Sequence, residues 1–145
     1  MLADFLEVNN LTGKVISFPS DILVEKAAEL NHISKSAIAK AFVFVDEKMN
    51  FFSVIAQKDE SISVKDAVFL FKNKTLEEVS DKDVYRILGE RKEYLSPVGV
   101  LGVNVALHDC IKDKKNLFFQ IGERDFLFIQ TSDILKAREF EEGFF

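Results

Sequence analysis

With 145 residues and a formal net charge of −5, the chain has the size of one ordinary domain, and its acidity argues against sequence-blind binding to duplex nucleic acid, which uses a basic face. Hydrophobic residues make up 48%, with 15 phenylalanines and no tryptophan, so the expected core is built of Phe, Val, Ile and Leu and a folded chain is expected. The single cysteine, Cys110, permits no internal disulfide, no apolar run approaches the roughly 20 residues of a membrane span, and no signal-peptide pattern opens the sequence; a reducing cytoplasm is the expected setting.

Leu2, Phe5 and Leu6 recur at helical spacing, which predicts a short N-terminal helix ending near Thr12-Gly13. Lys14–Phe18 reads as a strand stopped by Pro19. Ser20 is placed to cap a helix beginning at Asp21, with Leu23, Ala27 and Leu30 as its apolar face, flanked by Val24 and Ala28, and Asn31 as its stop. His32 follows in the connection as a surface or capping residue.

The run Ile38–Val45 is apolar on both faces when read with a period of two: Ile38, Lys40, Phe42 and Phe44 point one way, Ala39, Ala41, Val43 and Val45 the other. Such a strand belongs inside a packed sheet, which would bring the Lys40 ammonium to the edge of the core. Two placements are open. Either the strand starts at Ala41 and Lys40 snorkels to solvent from the rim, or Lys40 faces a cleft and holds an anionic or carbonyl-bearing ligand. The polar stretch Asp46–Asn50 then connects to Phe51–Ala56 as a hairpin.

Val64, Ala67, Val68 and Phe71 mark a helix with Ser63 as cap, Thr75–Val79 reads as a short strand, and Ser80 with Asp83 opens a helix carrying Val84, Ile87 and Leu88 that stops at Gly89. Pro97, Gly99 and Gly102 place a loop in Tyr94–Gly102, packed against the body and able to approach a ligand with its backbone. A strand at Val103–Leu107, a hairpin of Leu117–Ile121 with Phe126–Gln130, and a final helix capped by Thr131 or Ser132, with Ile134 and Leu135 inward, complete the order. No repeat or linker appears, so 1–145 is read as one domain. Hairpins mixed with helices indicate α+β, a mixed, largely antiparallel sheet of six or seven strands, with surrounding helices.

The neighbours His108-Asp109-Cys110 contain the residue types of a thiol hydrolase, but consecutive residues on an extended chain point alternately to opposite faces. His32, His108 and Cys110 have no metal-ligand spacing, and no phosphate loop, dinucleotide fingerprint or nucleophile elbow is present. The basic clusters Lys72-Asn73-Lys74 and Lys112–Lys115 read as solvated loops. What remains is Lys40, the glycine-bearing loop and an acidic residue after a strand.

Ile38-Ala39-Lys40-Ala41-Phe42-Val43-Phe44 resembles the lysine-bearing strand of the YbaK-type aminoacyl-tRNA deacylases, the editing domain also inserted in bacterial prolyl-tRNA synthetases. Ser96-Pro97-Val98-Gly99 is similar to that family's Ser-Pro-x-Gly loop, His108-Asp109 falls where the family has a strand ending in Asp, and Gly122 resembles the glycine of its late hairpin. The resemblance covers roughly Val15 to Phe140 and implies a barrel-like sheet. It further implies hydrolysis of the ester joining a wrong amino acid to tRNA, Cys or Ala on a proline tRNA, without metal or cofactor, the substrate's own groups replacing a side-chain nucleophile. Implied partners are the acceptor end of a mischarged tRNA and a synthetase, with neither DNA nor membrane. In that scheme Lys40 polarises the ester or an adjacent phosphate, backbone amides around the loop Ser96-Pro97-Val98-Gly99 hold the oxyanion, Asp109 takes the substrate amine or pairs with Lys40, and Phe18 and Phe42 border a small apolar pocket. The chain departs from the family at Ala41, where a hydroxyl residue is usual, and at Tyr94-Leu95, where glycines are usual. These departures keep open a non-catalytic module of the same fold that docks a synthetase, a tRNA end or a small ligand.

Overall fold

A computed structural model of the chain describes residues 13–88, 91–95 and 104–138. The expected N-terminal helix, Gly89, the Ser96–Gly99 loop and the C-terminal tail lie outside the described residues. Seven strands form one sheet among those described: β1 (Lys14–Ser17), β2 (Ile38–Val45), β3 (Phe51–Gln57), β4 (Glu77–Glu78), β5 (Asn104–Leu107), β6 (Asn116–Gln120) and β7 (Asp125–Gln130). The order is β1-β7-β6-β2-β3-β5, with β4 also on β2. Only β2–β6 and β3–β5 are parallel; both expected hairpins form as antiparallel pairs. The mixed α+β sheet is thus as expected, though among the described residues it is open, with β1 and β5 at its two ends. Its helices are α1 (Val24–Leu30), α2 (Val64–Phe71), α3 (Asp81–Leu88), α4 (Asp109–Lys112) and α5 (Thr131–Arg138). None of the described helices is long and apolar enough to cross a membrane.

The apolar faces of β2 explain the layering. Ala39, Ala41 and Val43 join Ile55, Val105, Leu107, Leu117, Phe119 and Leu127 in the largest core cluster, covered by Ile111 of α4 and Ile134 of α5. On the other face Ile38 packs with Val24, Ala27 and Ala28 of α1 and with Phe118 and Phe126, while Phe44 packs with Val54, Ala56 and Ala67 of α2. The α2 start is a capping box, Ser63 Oγ accepting from the Asp66 amide while the Asp66 carboxylate accepts from the Ser63 amide. Ser80 Oγ likewise accepts from the Asp83 amide at 3.2 Å at the start of α3.

Three expectations are corrected by competing hydrogen bonds. Ser20 caps no helix: the Phe18 amide donates to the Arg124 carbonyl and the Ile22 amide to the Glu123 carbonyl, so the chain stays extended against the β6–β7 turn and α1 starts at Val24. Starting three residues later turns its buried face to Val24, Ala27 and Ala28 and leaves Leu23 75% and Leu30 54% exposed. The strand expected over Thr75–Val79 shrinks to Glu77–Glu78, because the Thr75 amide and hydroxyl both donate to Asn73 Oδ1 and hold the chain in a turn. Thr131 is the first residue of α5, and its hydroxyl donates to the Lys114 carbonyl instead of capping that helix.

Candidate functional site

The position of Lys40 follows from how β2 begins. A 3-10 turn over Lys35–Ala37, with Ser34 Oγ accepting from the Ser36 amide, delivers the chain into extended geometry at Ile38. Lys40 is therefore the third residue of the strand, opposite Ala56 of β3, and the rim placement ahead of Ala41 is ruled out. It is half-buried. On its face Ile38 belongs to the cluster under α1 and Phe42 and Phe44 to the cluster under α2; Lys40 stands between the two. Its Nζ lies 5.1 Å from the centroid of the Phe42 ring, and no carboxylate among the described residues forms an ion pair with it. Burial holds the amine below its ordinary value of 10.5, and the Lys92 ammonium adds to that, against the opposing pull of Glu93 and Asp81.

A row of side chains continues across the sheet from Lys40. The parallel register of β2 on β6 runs Ile38↔Phe118 and Ala39↔Phe119, so Gln120, two residues beyond Phe118, shares the face of Lys40 one step on. Gln120 lies opposite Phe126 of β7, and Phe18, just past β1, sets its ring edge-on to Phe126 with centroids 5.7 Å apart and planes at 84°. Gln120 Nε2 donates to the Gly122 carbonyl at 3.0 Å, which places Gly122 in the turn immediately after the row. A Cβ on Gly122 would meet Asp125 Oδ2 at 3.3 Å, a tight contact with a side chain that can give way.

One open cleft reaches this row at Gln120, and a second lies across the Lys92–Tyr94 turn from it. The first, about 300 Å³, is lined by Asp21, Ile22, Leu23, Tyr94, Gln120 and Glu123. The other, about 360 Å³, is lined by Asp81, Lys82, Tyr85, Arg91, Lys92 and Glu93. Between them runs the 3-10 turn Lys92–Tyr94, pinned by Lys92 Nζ, which donates to the Val79 carbonyl at 3.1 Å, and by buried Leu95, which packs in the same cluster as Ala39 and Ala41. Arg91 reaches toward both clefts, with Cζ 5.8 Å from the Tyr94 ring centroid and Nη1 3.9 Å from Glu123.

Lys40, Phe18 and Gly122, expected from the sequence, therefore lie along one side of the sheet. Ser96, Pro97, Val98 and Gly99 fall outside the described residues. Asp109 is elsewhere: it opens α4, its side chain is 89% exposed, and it is ion-paired with Lys112 at 2.9 Å. The Lys112 hydrogen bond and charge, chiefly, hold its carboxyl below the usual range, and it is not among the largest influences on Lys40. His108, Asp109 and Cys110 do not converge: His108 Nδ1 accepts from the Cys110 amide at 3.1 Å, while Cys110 Sγ accepts from the Gln57 amide at 3.5 Å. No group of three potential metal ligands occurs among the described residues. Sequence reasoning missed Gln120 and Tyr94 as site residues. A signal for Gln120 existed, a polar side chain ending the apolar run Leu117–Phe119.

Residues 22–137 match the family model of the aminoacyl-tRNA editing domain. No curated protein gives a significant match. Among solved structures, "hypothetical protein APE2540" is similar with a TM-score of 0.82 and 16% identity over 95% of this chain and 93% of that one. Another, described as "a putative trans-editing enzyme for prolyl tRNA synthetase", is similar with a TM-score of 0.77 and 19% identity over 94% of this chain and 88% of that one. At these identities the likeness to both speaks for the fold.

Proposed function

The chain belongs to the aminoacyl-tRNA editing domain family, and on that premise we propose that it acts in trans as a deacylase, hydrolysing the ester of a mischarged tRNA with Lys40 as its central residue. The observation that carries this reading is the state of Lys40 itself. A half-buried ammonium inside a strand, with an aromatic ring and no carboxylate against it among the described residues, is costly for a merely structural lysine. It suits a residue whose partner is the substrate.

In the reaction, water adds to the ester carbonyl, the tetrahedral oxyanion collapses, and the bond to the terminal ribose oxygen breaks. The ribose leaves as its alcohol and the amino acid as its carboxylate. Lys40 draws electron density from the carbonyl or fixes the neighbouring phosphate, which places the ester for attack. The backbone of Ser96–Gly99 is proposed as oxyanion donor. Phe18 and Phe42 border the space for the amino-acid side chain, and Gly122, beside Gln120, lets the chain pass close to the ligand. Asp109, exposed and paired with Lys112, takes no part in this scheme. Cys or Ala on a proline tRNA is the proposed substrate, supported by the family resemblance.

Tyr94 favours a second reading. Where the family usually has glycine, its side chain lines the cleft beside Gln120, and this bulk suits a module that binds a synthetase, tRNA end or small ligand without hydrolysis. A panel of purified misacylated tRNAs separates the two. The deacylase reading expects release of amino acid from at least one tRNA by the wild type and none above background by Lys40→Ala; hydrolysis of no member of the panel leaves the binding module. Turnover by Lys40→Ala at the wild-type rate removes Lys40 from the mechanism.

A further inference from the structure

The cleft between α3 and the Lys92–Tyr94 turn has a composition that the hydrolytic scheme does not use. Six residues line it: Asp81, Lys82 and Tyr85 from α3, then Arg91, Lys92 and Glu93. Three are cations and two are carboxylates; Arg91 is ion-paired with Glu93 and with Glu123 outside the cleft, and Lys92 Nζ donates to the Val79 carbonyl, which leaves Lys82 as the cation best placed to meet a ligand. Lys82 forms no ion pair among the described residues. Tyr85 is 62% exposed although it is an aromatic residue in the middle of a helix; the inward position of that helix is filled by Val84, fully buried in the main core cluster. The ring is therefore not required by the core and is offered to the cleft.

The cleft also borders the site. The Lys92–Tyr94 turn packs on β6, β6 pairs with β2 next to Lys40, and Tyr94 at the end of the turn shares a cleft with Gln120. Three of the charges acting on Lys40, those of Lys92, Glu93 and Asp81, line this second cleft. An exposed aromatic face flanked by Lys and Arg, beside a lysine that would hold the reacting end, is the arrangement that recognises an unpaired nucleic-acid strand: bases stack on the ring while the cations follow the backbone. It also offers an answer to how an acidic domain holds tRNA, by a local site instead of a basic face.

We propose that the cleft of Lys82, Tyr85, Arg91 and Lys92 seats the single-stranded nucleotides preceding the terminal adenosine of the tRNA acceptor end, with Tyr85 as the stacking platform. This rests on the reading that the acceptor end is the ligand of Lys40. The strand enters along α3, a base lies on Tyr85, and the phosphates pass Lys82 on the way to Lys40. Asp81 and Glu93 limit how many phosphates the cleft tolerates, which suits a short unpaired end better than a duplex.

The test uses a fluorescein-labelled RNA tetranucleotide of sequence ACCA, followed by fluorescence anisotropy. Wild-type protein should bind it saturably. Tyr85→Ala should weaken binding roughly 5- to 150-fold, the range of one lost base–aromatic stack, with an unchanged thermal melt, while Tyr85→Phe, which keeps the ring, should bind as the wild type does. Lys82→Gln should flatten the dependence of binding on salt. Equal affinity of Tyr85→Ala and wild type overturns the proposal, as does the absence of saturable wild-type binding up to millimolar RNA. The probe carries no ester, so its binding is read independently of hydrolysis. A protein that binds it through Tyr85 yet deacylates no tRNA refutes the deacylase reading alone.

Discussion

Replacing Lys40 by methionine should make the protein more stable while removing its proposed activity. The substitution keeps most of the apolar stem and deletes a half-buried charge that lies between the clusters under α1 and α2 and has no carboxylate partner among the described residues. Two contributions oppose each other. The contact of Nζ with the Phe42 ring at 5.1 Å is lost, at a cost of about 0.5–1 kcal/mol for a partly solvated cation–π pair. The desolvation of the ammonium is relieved, and because part of the side chain still meets water, only a fraction of a full burial penalty is recovered. A net gain of about 1 kcal/mol, within the range of a single stabilising substitution, corresponds to a rise in Tm of roughly 2–5 °C for a chain of this size. The sign with pH is diagnostic. Burial lowers the folded-state pKa of Lys40 below 10.5, so between that lowered value and 10.5 the unfolded chain binds more protons and the wild type gains stability as pH rises. The advantage of Lys40→Met should therefore be greatest below the lowered pKa and shrink as pH climbs toward 10.5. Urea melts of both proteins at pH 7 and pH 10 measure it. A Lys40→Met variant less stable than the wild type at pH 7 would refute the argument, since it would mean that the ammonium has a stabilising partner.

Ser53 is fully buried, stands in register between Val43 and Val105, and has a hydroxyl without a hydrogen-bond partner among the described residues; Ser53→Ala should stabilise the fold by about 1 kcal/mol, read as a higher urea midpoint at an unchanged m-value. Ser63→Ala removes the capping box of α2 and should cost about 0.5–2 kcal/mol, again by urea melt. The same box gives a pH signature. Hydrogen bonds from the Ser63 amide and hydroxyl hold the Asp66 carboxyl below 3.8, so its contribution is full above that value and lost as pH falls through the lower folded pKa. An acid titration of stability should be shallower in Asp66→Asn.

The parts of the fold legible in the sequence were those fixed by local chemistry. The capping serines, Ser63 and Ser80, each with an acidic residue three positions on, place α2 and α3 where expected, and Asn31 ends α1. The errors arose where a long-range bond competes with a local signal. Ser20 looks like a cap, but the amides of Phe18 and Ile22 are taken by carbonyls of the β6–β7 turn, more than a hundred residues away, and no local pattern encodes that. Thr131 shows the same effect with Lys114 and Lys115.

The site divides along the same line. Period-two alternation identified Lys40 as a charge among apolar neighbours, and the strand start at Ile38 makes that reading literal. What alternation could not supply is the neighbour across the sheet. Gln120 becomes a neighbour of Lys40 only through the parallel β2–β6 register, a pairing between strands some eighty residues apart in sequence, and Asp109 is carried away from Lys40 because α4 begins at once after β5 and ties it to Lys112. Tyr85 is the converse case: within the amphipathic pattern of α3 it is one more outward residue, and it acquires significance only when the Lys92–Tyr94 turn closes a charged cleft over it. A lone half-buried charge can thus be found from sequence, whereas the groups that would share a ligand with it are set by sheet register and by turns that pack from a distance.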